Sequence, residues 1–176
     1  MTDVRIVPTH ELSSAELRAL RGLLDEAFDG GFTDDDWDHT VGGLHVVVLD
    51  GAIVSHGSVV ERLLVAGDRP LRTGYVEGVA TATGHRNRGH AQTVMRAVGG
   101  IIRSHHELGG LSTGLVDYYM RFGWEVWQGP TYVNAPDGPA RTAEDDGGVM
   151  ILRTRFTSDL DTTTRLMCDW RAGDVW

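Results

Sequence analysis

A chain of 176 residues, 41% of them hydrophobic and 23% charged, is long enough for one domain with a full core. The formal net charge of −9 argues against a nucleic-acid partner and favours a cationic one. A single cysteine, Cys168, excludes an intramolecular disulfide and a cysteine-based zinc site, and it suits a reducing cytoplasm. No stretch has the apolar length of a membrane span or of a signal peptide, so no membrane association is expected.

The beginning of the chain predicts a strand and two helices. The strand covers residues 4–7, and a helix over 13–28 follows, with Ser13 and Glu16 at the spacing of a capping box. A second, short helix starts after Thr33, which is followed by three aspartates at the positive end of the helix dipole.

Three strands come next in the sequence. Strands over residues 44–49 and 52–62 are joined by a tight turn, and a third runs over 71–82. Gly74 and Gly78 interrupt this third strand, and interior glycines of a strand indicate a bulge or a close approach of two backbones.

The second half of the chain opens with a long helix. Apolar residues recur at helical spacing from Ala91 as far as His106. Shorter elements follow: a strand over 111–113, a helix over 116–121, and strands over 124–128 and 149–154. The order β-α-α-β-β-β-α-β-α-β-β predicts a mixed α/β domain, also describable as α+β.

The stretch "HRNRGHA", residues 85–91, joins the glycine-interrupted strand to the long helix. The first amides of a helix lack intrahelical partners and carry the positive end of its dipole, so a phosphate fits there. No Lys-Ser/Thr pair follows, which excludes a nucleotide triphosphate loop. The absence of a GxGxxG motif argues against dinucleotide binding. A helix-opening turn that binds no ligand is the alternative interpretation.

Residues Arg86 to Ala91 resemble the Arg/Gln-x-x-Gly-x-Gly/Ala signature of the GNAT acetyltransferase superfamily. The resemblance implies a GNAT fold: a mixed, largely antiparallel sheet flanked by helices, with a bulged central strand. It also implies that acetyl-CoA is the co-substrate and that the backbone near Val79 holds the thioester carbonyl. The implied cofactor-binding residues are Val79, Arg86, Asn87, Arg88, Gly89, His90 and Ala91.

Further motifs narrow the resemblance. The stretches "FTDDDWDHTVGGLH", "YVEGVA", "DDG" and "LMCDWRAGDVW" are similar to the aminoglycoside 2′-N-acetyltransferases of mycobacteria and related bacteria, nearly from end to end. This resemblance implies one domain over residues 1–176, a homodimer, and a substrate site to which the tail 160–176 contributes. Two departures bear on drug range: Gly31 replaces an acidic residue of some relatives, and "LSTGLVDYYMRFGW" is shorter than its counterpart.

Aminoglycosides are polycations, so their site needs carboxylates and neutral acceptors. Matched motifs imply antibiotic-binding positions at Asp36, Glu77, Ser112, Asp145, Asp174 and Trp176. Trp170 and Trp176 are expected to anchor the tail by burying their rings. The alternatives are a tail that serves only as an anchor or dimer contact, and an acidic run at 34–36 that only completes its helix.

Acetyl transfer to an amine needs a base for the ammonium proton and an acid for the leaving thiolate. Glu77 is the candidate base and would act through a bridging water. The alternative is that Glu77 serves only as a hydrogen-bond acceptor for the substrate. Tyr119 matches the tyrosine of the family and is the candidate acid, with a core aromatic as the alternative. The spacing of the histidines predicts no metal site.

Two other functions remain compatible with these residues. One is a GNAT enzyme that acetylates another cation, such as a polyamine or a cell-envelope amino sugar. The other is a non-catalytic protein that binds cationic drugs.

Overall fold

In the computed structural model, which describes residues 2–176, ten strands and four α-helices are divided between two units. The strands are β1 Asp3–Pro8, β2 Leu44–Asp50, β3 Ala52–Ala66, β4 Arg69–Thr81, β5 Leu108–Ser112, β6 Glu125–Val126, β7 Thr131–Ala135, β8 Gly138–Arg141, β9 Val149–Arg153 and β10 Leu166–Asp169. The α-helices are α1 Ser14–Ala27, α2 Asp34–Thr40, α3 His90–His105 and α4 Val116–Met120. Short 3-10 helices cover Thr9–Glu11, Thr83–His85 and Ala143–Asp145.

The first unit contains the chain up to Val60 together with Val76–Gly100. Here β1 pairs antiparallel with β2, and β2 pairs antiparallel with the first part of β3. Leu20 of α1 is buried with Val7 of β1 and Val47 of β2. The fully buried Leu24 of the same helix lies in a second cluster, with Phe32 and Ala80.

Both predicted helix starts of this unit are confirmed, and both form capping boxes, although a box was predicted only at Ser13. The Ser13 hydroxyl accepts from the N–H of Glu16 at 3.2 Å, while Glu16 Oε2 accepts from the N–H of Ser13 at 2.8 Å. Thr33 and Asp36 form the same reciprocal pair at the start of α2. These local bonds satisfy N–H groups that have no partner inside their own helix.

The second unit contains Glu61–Tyr75 and Ile101–Trp176. Its strands lie in the order β6-β9-β5-β4-β3-β10-β7-β8. The β4–β5 and β10–β7 pairs are parallel, whereas β5–β9, β6–β9, β10–β3 and β7–β8 are antiparallel. The mixed, largely antiparallel sheet is therefore confirmed. The parallel β4–β5 pairing covers only Thr73–Tyr75 of β4, although β4 continues to Thr81.

Five strands were predicted incompletely or not at all. β5 begins at Leu108, not at residue 111 as predicted. The prediction left out Gly109 and Gly110 because glycine has a low strand propensity, but the packing of this strand requires both. A Cβ on Gly109 would lie 2.8 Å from Cβ of Leu152, and one on Gly110 would lie 2.8 Å from the Tyr75 ring. The strand predicted over 124–128 shortens to β6, and β7, β8 and β10 were not predicted. Within residues 2–176, no helix combines the length and the apolar character needed to cross a bilayer.

Candidate active site

The middle of β4 departs from regular strand geometry next to Glu77. Gly78 has a φ of 57°, a left-handed conformation that glycine adopts without the strain of a side chain. A Cβ at this position would also lie 3.0 Å from Cγ2 of Thr40. The predicted interruption of this strand is thus confirmed at Gly78. It is flanked by Glu77 and Val79, whose side chains are both half-buried.

The turn between β4 and α3 presents main-chain N–H groups suited to an anion. Asn87 and Gly89 have φ angles of 61° and 83°, and α3 begins directly afterwards at His90. The side chains of Arg86 and Arg88 are exposed and add positive charge beside the helix start. Free amides, the positive end of the helix dipole and these guanidinium groups together fit the pyrophosphate of acetyl-CoA.

The imidazole of His90 is directed into the protein. It is 8% exposed, and among residues 2–176 its Nε2 has no hydrogen-bond partner. Its ring lies 6.2 Å from that of His85. The main-chain N–H groups of His90 and the half-buried Ala91 are therefore the donors that the start of the helix supplies.

Asp36 is the third residue of α2 and caps this helix. Its Oδ2 accepts hydrogen bonds from the N–H and the hydroxyl of Thr33, both at 2.8 Å. The neighbouring Asp34 pairs instead with Arg21, whose Nη1 lies 2.9 Å from Asp34 Oδ1. Oδ2 of Asp36 therefore completes the helix start, as the alternative interpretation of the acidic run expected. Oδ1 of Asp36 lies outside the capping box.

Two neighbouring tyrosines of α4 contact each other. The rings of Tyr118 and Tyr119 meet edge to face with centroids 5.2 Å apart, and the guanidinium of Arg121 lies 4.7 Å from the Tyr118 centroid. Burial, followed by the proximity of Tyr118, raises the pKa of Tyr119 to about 12. The Tyr119 phenol consequently keeps its proton at any physiological pH and is available as a proton donor.

Ser112 ends β5 beside an acidic turn. It lies opposite Val149 of β9, and the N–H of the next residue, Thr113, donates to the carbonyl oxygen of Gly148 at 3.0 Å. The N–H of Gly148 in turn donates to the carbonyl oxygen of Asp145, also at 3.0 Å. These main-chain bonds bring the exposed Ser112 to the turn that carries Asp145.

The two adjacent aspartates of this turn differ in their surroundings. Asp146 binds the guanidinium of Arg141 and accepts from the N–H of Thr131 at 3.1 Å, and the Arg141 contact lowers the pKa of Asp146. The pKa of Asp145 is raised, mainly by burial and then by the negative charge of Asp174. Asp145 thus lies in a negative environment that a cationic ligand would stabilise.

The last residue of the chain is bound to the same region. Trp176 is 3% exposed, its Nε1 donates to the hydroxyl of Thr142 at 2.9 Å, and its N–H donates to Oδ1 of Asp174 at 3.2 Å. Trp176 therefore anchors the tail as predicted. The same prediction is wrong for Trp170, which is 53% exposed because the chain has already left β10 at this residue.

A buried arginine supports the tail, and sequence reasoning missed it. Arg62 is 5% exposed, and its Nε and Nη2 bind the carboxylate and the carbonyl oxygen of Asp169 at 2.9 and 2.8 Å. Its guanidinium lies 4.7 Å from the Tyr75 ring centroid, and Arg171 lies 5.5 Å from the same centroid. Arg171 Nε also donates to the carbonyl oxygen of Asp174 at 2.8 Å. One sequence signal could have indicated that Arg62 is buried. Inward- and outward-facing residues alternate along the second half of β3, and its even-numbered residues are buried.

Each unit carries part of the predicted site. The first unit contains Asp36, Glu77, Val79 and the turn of residues 86–91. The second contains Ser112, Tyr119, Asp145, Asp174 and Trp176. The contacts above bring Ser112, Asp145, Asp174 and Trp176 of the second unit together. Within residues 2–176, no group of three or more His, Cys, Asp or Glu side chains is arranged to hold a metal ion.

Comparisons with known proteins agree with this geometry. The acetyltransferase (GNAT) domain family matches residues 9–127. An aminoglycoside 2′-N-acetyltransferase of Mycolicibacterium fortuitum is 42% identical over 98% of this chain and 91% of its own length. The GNAT family N-acetyltransferase YhbS of Escherichia coli, solved in complex with CoA, has a TM-score of 0.63 at 13% identity, covering 95% of this chain and 89% of that one.

Some similar structures are much longer proteins. A conserved protein of unknown function from Enterococcus faecalis, described as a probable N-acyltransferase, has a TM-score of 0.61 at 14% identity. The match covers 72% of this chain but only 33% of that one. GNAT enzymes take an acetyl group from acetyl-CoA, and the turn that precedes α3 has the N–H groups and positive charge that suit an anion. The matched domain and the full-length relative show that this chain belongs to the GNAT family of acetyltransferases.

Proposed function

We propose that this enzyme transfers the acetyl group of acetyl-CoA to the 2′-amine of aminoglycoside antibiotics and thereby confers resistance. The relative with 42% identity is named for this reaction. The observation that supports the proposal most is that Trp176 ties Asp174 to the turn of Asp145, through bonds from its N–H to Asp174 and from its Nε1 to Thr142. Burial, and then the negative charge of Asp174, raise the pKa of Asp145. Such a carboxylate pair is unfavourable without a cation and becomes favourable when an ammonium group binds between or beside its members.

The substrate contacts extend this pair. The antibiotic is bound by Asp36, Glu77, Ser112, Asp145, Asp174 and Trp176. Several carboxylates balance the charge of the polycation, while the Ser112 hydroxyl, which can donate or accept, binds a sugar hydroxyl or amine. The buried indole of Trp176 holds this part of the proposed site in place.

Two residues carry the proton transfers. Glu77 takes the proton of the 2′-ammonium through a bridging water, which leaves a neutral nitrogen with a lone pair. Acetyl-CoA supplies the acetyl group as a thioester, so a carbon–nitrogen bond forms while the carbon–sulfur bond breaks. Tyr119 donates its phenolic proton to the departing sulfur. The second proton that the nitrogen loses on becoming an amide returns through water to the Tyr119 phenolate. Because its pKa is raised, the Tyr119 phenol is protonated before the reaction. A cationic substrate beside it would lower this pKa during turnover and make proton donation easier.

Acetyl-CoA is held by the first unit. The N–H of Val79 donates to the thioester carbonyl, and the turn from Arg86 to Ala91 binds the pyrophosphate. Both partners are bound at once, so transfer is direct and needs no acyl-enzyme. The only cysteine, Cys168, is buried, and burial raises the pKa of its thiol to about 11, which makes it a poor nucleophile.

The organisation proposed for the whole chain follows the same resemblance. Residues 1–176 form a single acetyltransferase domain whose tail, 160–176, contributes to the substrate site. The protein works in the cytoplasm, which suits its free cysteine, and it forms a homodimer, as the family resemblance implies. Light scattering would test the dimer, and a monomeric mass at assay concentration would contradict it.

The test uses two drugs that differ at one position. Kanamycin B has an amine at the 2′ carbon, whereas kanamycin A has a hydroxyl there. Release of free CoA thiol from acetyl-CoA with kanamycin B alone is the expected result. Turnover of both drugs would contradict the 2′ assignment and keep the acetyltransferase. Turnover of neither would favour another cationic acceptor, such as a polyamine or a cell-envelope amino sugar, or a protein that only binds cationic drugs.

A further inference from the structure

Two buried histidines of the first unit form a continuous chain of hydrogen bonds that ends at the interruption of β4. Oγ1 of Thr9 lies 2.7 Å from Nε2 of His45, and Nδ1 of His45 lies 2.9 Å from Nε2 of His56. Nδ1 of His56 lies 2.7 Å from the carbonyl oxygen of Gly78. Both imidazoles have no exposed surface.

The direction of every hydrogen bond in this chain is determined. Burial lowers the pKa of His45 to about 4 and that of His56 to about 3, so both rings are neutral at neutral pH. A carbonyl oxygen only accepts, so Nδ1 of His56 carries its hydrogen and Nε2 of His56 is an acceptor. Nδ1 of His45 must then donate to His56, and Nε2 of His45 accepts from the Thr9 hydroxyl. This contact of 2.7 Å is shorter than the 3.3 Å from the same hydroxyl to the carbonyl oxygen of Gly43. The Thr9 oxygen accepts in turn from the N–H of Gly42 at 2.8 Å.

A proton relay is one reading of such a chain, and its inner end excludes it. The Gly78 carbonyl oxygen has lone pairs but no proton to pass on, so protons cannot travel through it to or from a reacting group. The chain can therefore only hold the peptide group on which it ends.

Holding this carbonyl also fixes the next N–H group. The chain has no cis peptide bond in its described part, so the Gly78 carbonyl and the Val79 N–H point in opposite directions within one planar unit. Gly78 has a left-handed φ of 57°, and glycine has the widest backbone freedom of any residue. Without a bound carbonyl, this peptide would be among the easiest in β4 to rotate.

We propose that His56, supported by His45 and Thr9, is a positioning residue for acetyl transfer: it holds the Gly78–Val79 peptide so that the Val79 N–H is directed at the acetyl carbonyl. This rests on the proposed contact of Val79, not on the identity of the acceptor. A donor that is held in place before the reaction needs no reorganisation as negative charge develops on the carbonyl oxygen, and such donors contribute strongly to catalysis.

The first test examines the wild-type protein by nitrogen-15 NMR of its imidazole rings. The expected result is the Nδ1–H tautomer for both His45 and His56, with neither ring titrating between neutral and mildly acidic pH. An Nε2–H tautomer for His56 would leave the Gly78 carbonyl without its donor and would overturn the proposal.

The second test compares variants of β3. His56→Leu removes the donor at similar volume, whereas His56→Asn keeps an N–H group close to the position of Nδ1. Ser55→Ala is the matched control, because Ser55 is equally buried and donates at 2.9 Å to the carbonyl of Ala80, which belongs to a different peptide unit. We expect kcat to fall about tenfold or more in His56→Leu, to recover largely in His56→Asn, and to change less than about twofold in Ser55→Ala.

A third readout requires no aminoglycoside and no turnover. In the wild-type protein, acetyl-CoA should shift the amide proton of Val79 further than CoA does, because only acetyl-CoA carries the carbonyl acceptor. His56→Leu should lose this difference. Equal shifts with both ligands in the wild type, or an unchanged difference together with an unchanged kcat in His56→Leu, would overturn the proposal. Failure of every aminoglycoside as a substrate would instead contradict the proposed function and leave this measurement readable.

Discussion

The indole nitrogen of Trp176 donates a hydrogen bond of 2.9 Å to the hydroxyl of Thr142 and thereby ties the last residue of the chain to the turn that carries Asp145. Thr142 is 5% exposed and Trp176 is 3% exposed, so the bond is shielded from water. A buried donor that loses its acceptor keeps the full cost of desolvation. The position of Trp176 therefore depends on Thr142, which lies 34 positions earlier in the sequence.

Thr142→Val should loosen the tail without removing any proposed substrate contact. The free energy of unfolding should fall by about 1–3 kcal/mol, since the Trp176 indole loses its acceptor. The KM for the aminoglycoside should rise while the KM for acetyl-CoA is unchanged. Urea unfolding and steady-state kinetics measure these effects, with the exposed Trp170→Ala as the control. An equal rise of both KM values would indicate general damage instead of a displaced tail.

Asp145→Asn should weaken antibiotic binding and stabilise the free protein at neutral pH. The folded protein raises the pKa of Asp145, so this residue favours folding only when it is protonated. Its contribution is present below the ordinary aspartate pKa and is lost as the pH rises through the raised value. The amide removes that penalty, and the melting temperature at neutral pH should rise. The Kd for kanamycin B should increase about tenfold, the equivalent of about 1.4 kcal/mol.

Asp146→Asn is the matched control for this prediction, and its expected effect on the melting temperature is the opposite. Arg141 lowers the pKa of Asp146, so the Asp146 carboxylate favours folding at neutral pH and loses this contribution as the pH falls through its lowered pKa. Its amide variant should melt at a lower temperature. Lower melting temperatures in both variants would contradict the account of the acidic turn.

Tyr119→Phe should remove the proton donor and leave binding almost intact. We expect kcat to fall about 100-fold with little change in either KM. Because burial raises the pKa of Tyr119 to about 12, this phenol should cause no loss of activity at mildly alkaline pH. Tyr118→Phe, the neighbouring change, should stay within about threefold of the wild type, since Tyr118 packs against Tyr119 and Arg121. Comparable losses in both variants would mean that the ring pair acts only through packing.

Glu77→Gln separates the two roles considered for this residue. Glutamine keeps an oxygen acceptor of similar shape but cannot accept the proton of the 2′-ammonium group. A base role predicts that kcat falls about 100-fold and that the acidic limb of the pH profile of kcat/KM disappears. A variant that changes only the KM for the drug would make Glu77 a substrate acceptor, and another group would then be the base.

Elements that depend on nearby residues could be predicted from the sequence. The capping box at Ser13, the helix start at Thr33 and the interruption at Gly78 each follow from a few consecutive residues. The short strands β7 and β10 were missed because they depend on distant partners. β10 has four residues and pairs with both β3 and β7, which no local pattern indicates.

The candidate site divides in the same way. Residue types and family motifs pointed to Asp145 and Trp176, but only the fold distinguishes Asp145 from Asp146, because Arg141 binds the latter. Arg62 and Asp169 are 107 positions apart in sequence, and their pairing required the β3–β10 contact to be known. The spacing of His45 and His56 in the sequence indicates neither a metal site nor a contact, because their hydrogen bonds to Thr9 and Gly78 join a 3-10 helix and three strands.

The structure of the acetylated product tests the central claim most directly. Kanamycin B carries several amines, so thiol release alone does not say which one reacts. We would make the product with the full-length enzyme and locate the new amide by two-dimensional NMR. The proposed function predicts one acetyl group, with the amide carbonyl correlated to the proton on the 2′ carbon. An acetyl group on any other nitrogen would contradict it.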